Sequence, residues 1–198
     1  MTDMGDMSRV LGMNVSRDRE KETITIDQKD YTEDIVERFG MKDCNPAFTP
    51  AAEPERSLNQ PDKHLLDEEG KRRYQSIVGA TTYLAHFSRH DILYAVNQLA
   101  REMFKPSKAH MGVVKHLLRY FTGSRDFFIN YEQGGFKLAA FSDADRGNIP
   151  DNGKSTSYIV MLANGAMSSN VGLQGLITQL TLEVELVAAA LTMKEAGA

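Results

Sequence analysis

Arg119-Tyr120-Phe121-Thr122-Gly123-Ser124-Arg125-Asp126-Phe127-Phe128-Ile129-Asn130-Tyr131 is the stretch in which the chain changes period. Upstream of Gly123 the apolar residues Met111, Val114, Leu117, Leu118 and Phe121 recur at helical spacing and form one stripe. Downstream the pattern alternates. Phe127 to Tyr131, Lys137 to Asp143, Ser157 to Leu162 and Ala166 to Val171 predict four short strands in a meander, with Asn164-Gly165 as a hairpin turn between the last two. Helices first and strands afterwards point to an α+β chain.

Working outward, Pro106-Ser107 opens the helix that Gly123 is expected to end. Before it, Ile77, Val78, Thr81, Leu84, Ala85, Ile92, Val96 and Leu99 keep helical register from Tyr74 to Phe104, broken near Ser88-Arg89-His90-Asp91, which predicts two helices joined by a turn or kink. Residues 45–70 hold most of the prolines and many charges and read as an irregular linker. Further upstream, Tyr31, Ile35 and Phe39 predict a short helix, with Asp27 as its cap and Gly40 as its stop. Val10 to Val15 and Thr23 to Ile26 predict a hairpin around the charged loop Asp18-Arg19-Glu20-Lys21. At the far end Leu182 to Ala196 is helical, with Leu182, Leu186, Ala189 and Met193 as the expected buried stripe, and Gly134-Gly135 reads as a hairpin turn.

Composition narrows the function classes. The 198 residues are 41% apolar and 25% charged, enough for one ordinary domain or two small ones. The net charge is −4, so affinity for nucleic acid has to come from a local basic patch. A single cysteine, Cys44, excludes an internal disulfide and a cysteine-based zinc cluster, and fits a reducing compartment. No apolar run approaches the roughly 18 residues of a membrane span, so no membrane partner is expected, and the acidic, Gly-interrupted first residues do not read as a leader. The histidines lack ligand spacing, no serine has an evident base, and no Gly-rich phosphate loop is present.

Three constellations remain as candidates. Phe141-Ser142-Asp143-Ala144-Asp145 ends a predicted strand, where a carboxylate can hold a divalent cation, although two acids at a strand end equally cap a turn. Glu185, in Leu182-Glu183-Val184-Glu185-Leu186, lies about 60° from the expected buried stripe, nearer the sheet than Glu183; it also reads as an ordinary boundary glutamate. Lys108, Lys115 and Arg119 fall within about 40° of one another on the helical wheel. From Arg101 to Arg125 there are six basic residues against one acid, which describes either a phosphate-tracking face or a solvated helix face.

Taken in order, these segments resemble the Pol polyprotein of copia-type retrotransposons along essentially the whole chain. Val10-Leu11-Gly12 with Gln28 and Tyr31 is similar to the family's hairpin and helix after the polymerase palm, and Thr49-Pro50 to its linker. Tyr74 to Gly79, Tyr83-Leu84 and Arg89-His90-Asp91-Ile92 resemble its next helices, and Arg119-Tyr120-Phe121-Thr122-Gly123-Ser124 the one after. Ser142-Asp143-Ala144-Asp145, Gly153-Lys154-Ser155-Thr156-Ser157 and Gln179 to Leu186 resemble the start of its ribonuclease H. The departures are His90 for the family's Pro, Arg146 for Trp, Leu180 for Ser and Val184 for Ala.

The resemblance implies residues 1–125 as the thumb and connection region of a reverse transcriptase, with a β-hairpin and mostly helices, and 126–198 as a partial ribonuclease H-like mixed sheet with one helix. It implies Asp143 and Glu185 as catalytic metal ligands for Mg²⁺, the first two of four acids, the others lying beyond Ala198. No palm motif precedes Met1, so polymerase activity is not expected, and ribonuclease activity is expected to be lost with the two acids. Arg146 beside the first acid is expected to weaken Mg²⁺ binding. The expected partners are an RNA–DNA hybrid or primer–template duplex, met by Lys108, Lys115 and Arg119, and the rest of the polyprotein. The alternative is a non-catalytic remnant that binds nucleic acid or protein.

Overall fold

In the computed structural model, which describes residues 5–51, 64–135, 137–145, 154–177 and 180–197, Leu11 and Gly12 both adopt positive φ, 48° and 76°. The run Val10 to Val15 is therefore not one strand. It folds back as β1 (Arg9–Val10) against β2 (Met13–Asp18), and β2 pairs in turn with β3 (Thr23–Asp27). Asp18 closes the β2–β3 turn by accepting the backbone N–H groups of Glu20 and Lys21 at 3.0 Å.

Helix α1 (Lys29–Arg38) follows and buries Thr32, Ile35 and Val36. Its N-cap position is Gln28 rather than Asp27; Asp27 ends β3, and its carboxylate accepts the Lys29 N–H at 2.9 Å. Gly40, at φ 72°, stands where a stop was expected. Three further helices form the core of this part: α2 (Glu68–Phe87), α3 (Leu93–Arg101) after a single 3-10 turn at His90–Ile92, and α4 (Lys108–Ser124). Asp67 caps α2 through the Gly70 N–H, and Ser107 caps α4 through that of His110. Tyr74, Leu84, Ile92, Leu117 and Phe121 are all essentially inaccessible. Each such side chain contributes about 1.5–3 kcal/mol of hydrophobic stabilisation. Of the expected linker, residues 52–63 lie outside the described residues.

Gly123 does not end α4. A side chain there would meet Pro46 Cβ at 3.0 Å, so the glycine admits the segment at Asn45–Ala47, whose Ala47 N–H donates to the Arg119 carbonyl. The expected four-strand meander also divides differently. β4 (Phe128–Glu132) pairs with β3 through Ile24↔Tyr131 and Ile26↔Ile129, completing a four-stranded antiparallel sheet β1-β2-β3-β4. The first compact unit accordingly runs to Gln133 and the second begins at Gly134, so Gly134-Gly135 separates two sheets rather than turning a hairpin.

The second unit is a three-stranded sheet, β5 (Ala139–Asp145), β6 (Thr156–Leu162) and β7 (Ala166–Leu173), with α5 (Thr181–Ala196). All three strands are antiparallel, so the sheet is not mixed among the described residues. Asn164, at φ 55°, and Gly165 make the β6–β7 turn as expected. Helix α5 buries Val184, Ala188 and Thr192, an i, i+4, i+8 face, and leaves Leu182, Leu186 and Met193 exposed, against expectation. The helix is apolar nearly all round, so spacing alone could not choose the face. The choice is made by contacts with the sheet. The α+β class holds; no helix among the described residues is long and apolar enough to cross a membrane.

Candidate functional site

The two candidate carboxylates are brought to one end of the second unit by a buried glutamine. Gln174 follows β7 and is inaccessible to solvent. Its backbone N–H donates to the Ser155 carbonyl at 2.8 Å, and its side-chain Nε2 donates to Ser157 Oγ and to the Val184 carbonyl, both at 2.9 Å. Ser157 pairs across β6–β5 with Ala144, so one amide ties the Asp143–Asp145 end of β5 to the first turn of α5. Glu185 is the next residue after Val184. Nothing in the spacing pointed to Gln174; the one sequence signal was a polar residue closing an alternating run.

The register also sets the two carboxylates apart. Asp143 pairs with Tyr158 and Asp145 with Thr156, one position out of step with Ser157, so both acids lie on the face of the sheet away from α5. Asp143 is exposed, and its Oδ1 accepts the following Ala144 N–H at 2.9 Å. Glu185 is half-buried beside Val184 and approaches from the α5 face. Glu183 is spent locally: its carboxylate accepts the Leu180 N–H at 3.2 Å and closes the start of α5. Among the described residues no group of three His, Cys, Asp or Glu side chains is placed to hold a metal ion. Arg146 and Gln179 lie outside the described residues.

The basic candidates all lie on α4. Lys108 and Lys115 are exposed, whereas Arg119 is half-buried and its Nε donates to the Asn45 carbonyl at 2.7 Å. His116, one residue after Lys115, holds the Thr49 carbonyl at 2.9 Å. Arg119 therefore fastens the chain after α1 onto α4 as well as lending charge, and Lys108 and Lys115 are the cations that face solvent.

The motif Arg89-His90-Asp91 has a structural assignment. Arg89 is 2% exposed, and it clasps the Asp91 carboxylate with two hydrogen bonds at 2.9 and 2.8 Å. It also donates to the Ser124 carbonyl and hydroxyl, while its guanidinium stands 5.1–5.5 Å from the ring centroids of Tyr120, Phe121 and Phe127. Tyr120 completes the clasp by donating to Asp91 at 2.9 Å. Burial, with Asp91 adjacent, raises the Tyr120 hydroxyl above its ordinary pKa, which keeps it a donor. An open cavity of about 440 Å³ in the second unit, lined by Ile159, Asn170, Lys194 and Glu195 among others, lies toward the far end of α5 from Glu185.

Comparison with known proteins gives a consistent set of relatives. The chain is 33% identical to the retrovirus-related Pol polyprotein from transposon TNT 1-94 of Nicotiana tabacum, over 98% of this chain and 15% of that one. It is 35% identical to the retrovirus-related Pol polyprotein from transposon RE1 of Arabidopsis thaliana, over 86% of this chain and 12% of that one. An uncharacterized mitochondrial protein of Arabidopsis thaliana is 29% identical over 98% of this chain and 79% of its own length. The chain thus spans 15% or less of the polyproteins that it matches. No family model and no solved structure matches it.

Proposed function

Since the chain belongs to the family of retrovirus-related Pol polyproteins of copia-type transposons, we propose that it is the part of such a polyprotein that handles an RNA–DNA duplex. In this reading the first unit is the thumb and connection of a reverse transcriptase, and the second is a ribonuclease H-like unit that does not hydrolyse RNA by itself. The observation that carries the reading is the Gln174 bridge, which brings the strand end of Asp143 and the first turn of α5, with Glu185, to one end of the sheet.

The donor set is two carboxylates, one exposed and one half-buried, approaching from opposite faces. Standing on opposite faces of the sheet, the two do not converge on one ion, so a hard cation such as Mg²⁺, which carboxylate oxygens favour, would be held only loosely and not clamped between shared acids. Asp143, the exposed one, would hold that ion, with Glu185 on the other face of the same sheet end, and a bound Mg²⁺ would supply charge neutralisation at a phosphate and an acidified water. Within this chain, Lys108 and Lys115 attract the duplex backbone, and Arg119 keeps their helix fastened to the segment at Asn45.

The test is fluorescence anisotropy of a labelled RNA–DNA hybrid with the purified chain across a salt series. Affinity is expected to fall steeply with salt, and Lys108→Ala with Lys115→Ala is expected to flatten the log–log slope by about two. Titration with Mn²⁺, followed by water proton relaxation, is expected to show one weak site that Asp143→Ala removes. Binding indifferent to salt and to both lysines would sink the duplex-handling reading. Mn²⁺ binding unchanged by Asp143→Ala would sink the metal assignment.

A further inference from the structure

Phe48 is 95% exposed, more than any other large apolar side chain among the described residues. Its ring forgoes the burial that Phe39 and Phe121 obtain, yet the backbone that carries it is fastened on both sides. Residues 44–49 run antiparallel along α4 and are bonded to it turn by turn. Cys44 Sγ lies 3.3 Å from Thr122 Oγ1, the Asn45 carbonyl accepts from Arg119 Nε at 2.7 Å, the Ala47 N–H donates to the Arg119 carbonyl at 3.1 Å, and the Thr49 carbonyl accepts from His116 Nε2 at 2.9 Å. Ala47 is buried, and Gly123 makes room for Pro46. Phe48 thus stands between two held residues, alongside the His116–Arg119 turn of α4.

The charge beside that turn says what the ring meets. Lys115 precedes His116, Lys108 lies on the same side of the helix, and both lysines are exposed. An aromatic face next to a line of cations matches a nucleic-acid strand, whose bases stack on the ring while its phosphates follow the lysines. Bases inside a duplex already stack on both sides, so a free face belongs to an unpaired nucleotide. Phe104 is a contrast. It is 74% exposed, but the Lys71 and Lys105 ammonium groups stand over its ring at 5.2 and 5.8 Å from the centroid, so its face is already engaged.

We propose that Phe48 stacks on an unpaired base of a nucleic-acid strand whose phosphates run along Lys108 and Lys115, a subsite for a single-stranded tail that rests on the duplex-handling reading above. The lysines supply charge without regard to bases, and Phe48 supplies a base contact without charge, so the two contributions separate by experiment.

The experiment is fluorescence anisotropy of the full chain with an RNA–DNA hybrid that carries a single-stranded tail of about six nucleotides, beside the same hybrid with an abasic tail. The two tails have the same phosphates, and only one has bases. The wild-type chain should bind the base-bearing tail about tenfold more tightly, within the range that one base–aromatic stack supplies. Phe48→Ala should erase that preference and leave the affinity for the abasic hybrid and the salt slope unchanged. Lys115→Ala should weaken both hybrids alike and flatten the slope by about one. Phe48→Trp should keep the preference and, in a sequence without tryptophan, give an emission that the base-bearing tail quenches and the abasic tail does not. Far-UV circular dichroism checks that each variant is folded. A wild-type chain indifferent to the bases, a preference that survives Phe48→Ala, or a Phe48→Trp emission that no tail quenches would overturn the stacking assignment, while salt-sensitive binding would leave the duplex reading standing. Binding without salt sensitivity would remove that reading and the subsite with it.

Discussion

Replacing Arg89 by Met should cost the first unit about 3 kcal/mol. Arg89 is 2% exposed and gives two hydrogen bonds to the Asp91 carboxylate and two to Ser124, one to its carbonyl and one to its hydroxyl. Removing one partner of a buried ion pair generally costs about 3–5 kcal/mol, because the other is left charged and poorly solvated. The low end applies here, since the Asp91 side chain is 33% exposed, can rehydrate, and keeps the Tyr120 hydroxyl as a donor. Methionine replaces the alkyl stem, so little cavity cost adds to the loss. Asp91→Asn, which keeps the shape but weakens the charge-assisted pair, should cost about 1–2 kcal/mol. The assay is urea unfolding followed by tyrosine fluorescence. There is no tryptophan, and all tyrosines except Tyr158 lie in the first unit, so the signal reports mainly on that unit. A loss below about 1 kcal/mol for Arg89→Met would refute the reasoning, since the clasp would then be no better than an apolar filler.

Leu180 occupies the N-cap of α5 in extended geometry, φ −109° and ψ 145°, and offers no side-chain acceptor. Leu180→Ser should therefore stabilise the second unit by about 1 kcal/mol, read as a rise in its thermal midpoint; no rise would contradict the cap assignment. Gln174→Leu should cost the same unit about 1–2 kcal/mol and speed amide exchange in the first turn of α5, because Ser157 Oγ and the Val184 carbonyl lose their donor. Burial holds the His90 imidazole below its ordinary pKa, so the unfolded chain takes up that proton first as the pH falls. The stability of the first unit should then decline from about pH 7 downward, and His90→Gln should flatten the decline. A slope identical in the variant would assign it to other groups.

How far the sequence carried varies by element, and the reasons are physical. The core of α2, α3 and α4 was legible because their apolar residues fall on one side and polar ones on the other, so period alone fixes the buried face. The kink at Arg89 was legible as a break, but not as a clasp, since the partners Ser124, Tyr120 and Phe127 are brought in by the fold. The alternation at Phe127 to Tyr131 predicts a strand, which is found as Phe128–Glu132, but not that it pairs with β3. Alternation reports that one face is buried and is silent about which edge a strand pairs with; here the match of Ile129 and Tyr131 to Ile26 and Ile24 decided it. Gly123 looks like a helix stop in the sequence, whereas its lack of a side chain serves a close approach by Pro46. At the candidate site Asp143 and Glu185 were both named from the sequence, and Gln174, which ties their elements together, was not. A single buried amide leaves no periodic trace.

The duplex-handling, non-hydrolysing reading puts Asp143 and Glu185 at one sheet end, tied by Gln174, and two solvent-facing lysines on α4. It is tested most directly by incubating the purified chain with an RNA–DNA hybrid labelled on the RNA strand, in Mg²⁺, Mn²⁺ or EDTA, beside the Asp143→Ala variant. The expected result is a hybrid that is bound in a salt-sensitive way and stays intact in every condition. RNA cleavage that requires the metal and is abolished by Asp143→Ala would contradict it, because Asp143 and Glu185 would then complete a working site within this chain.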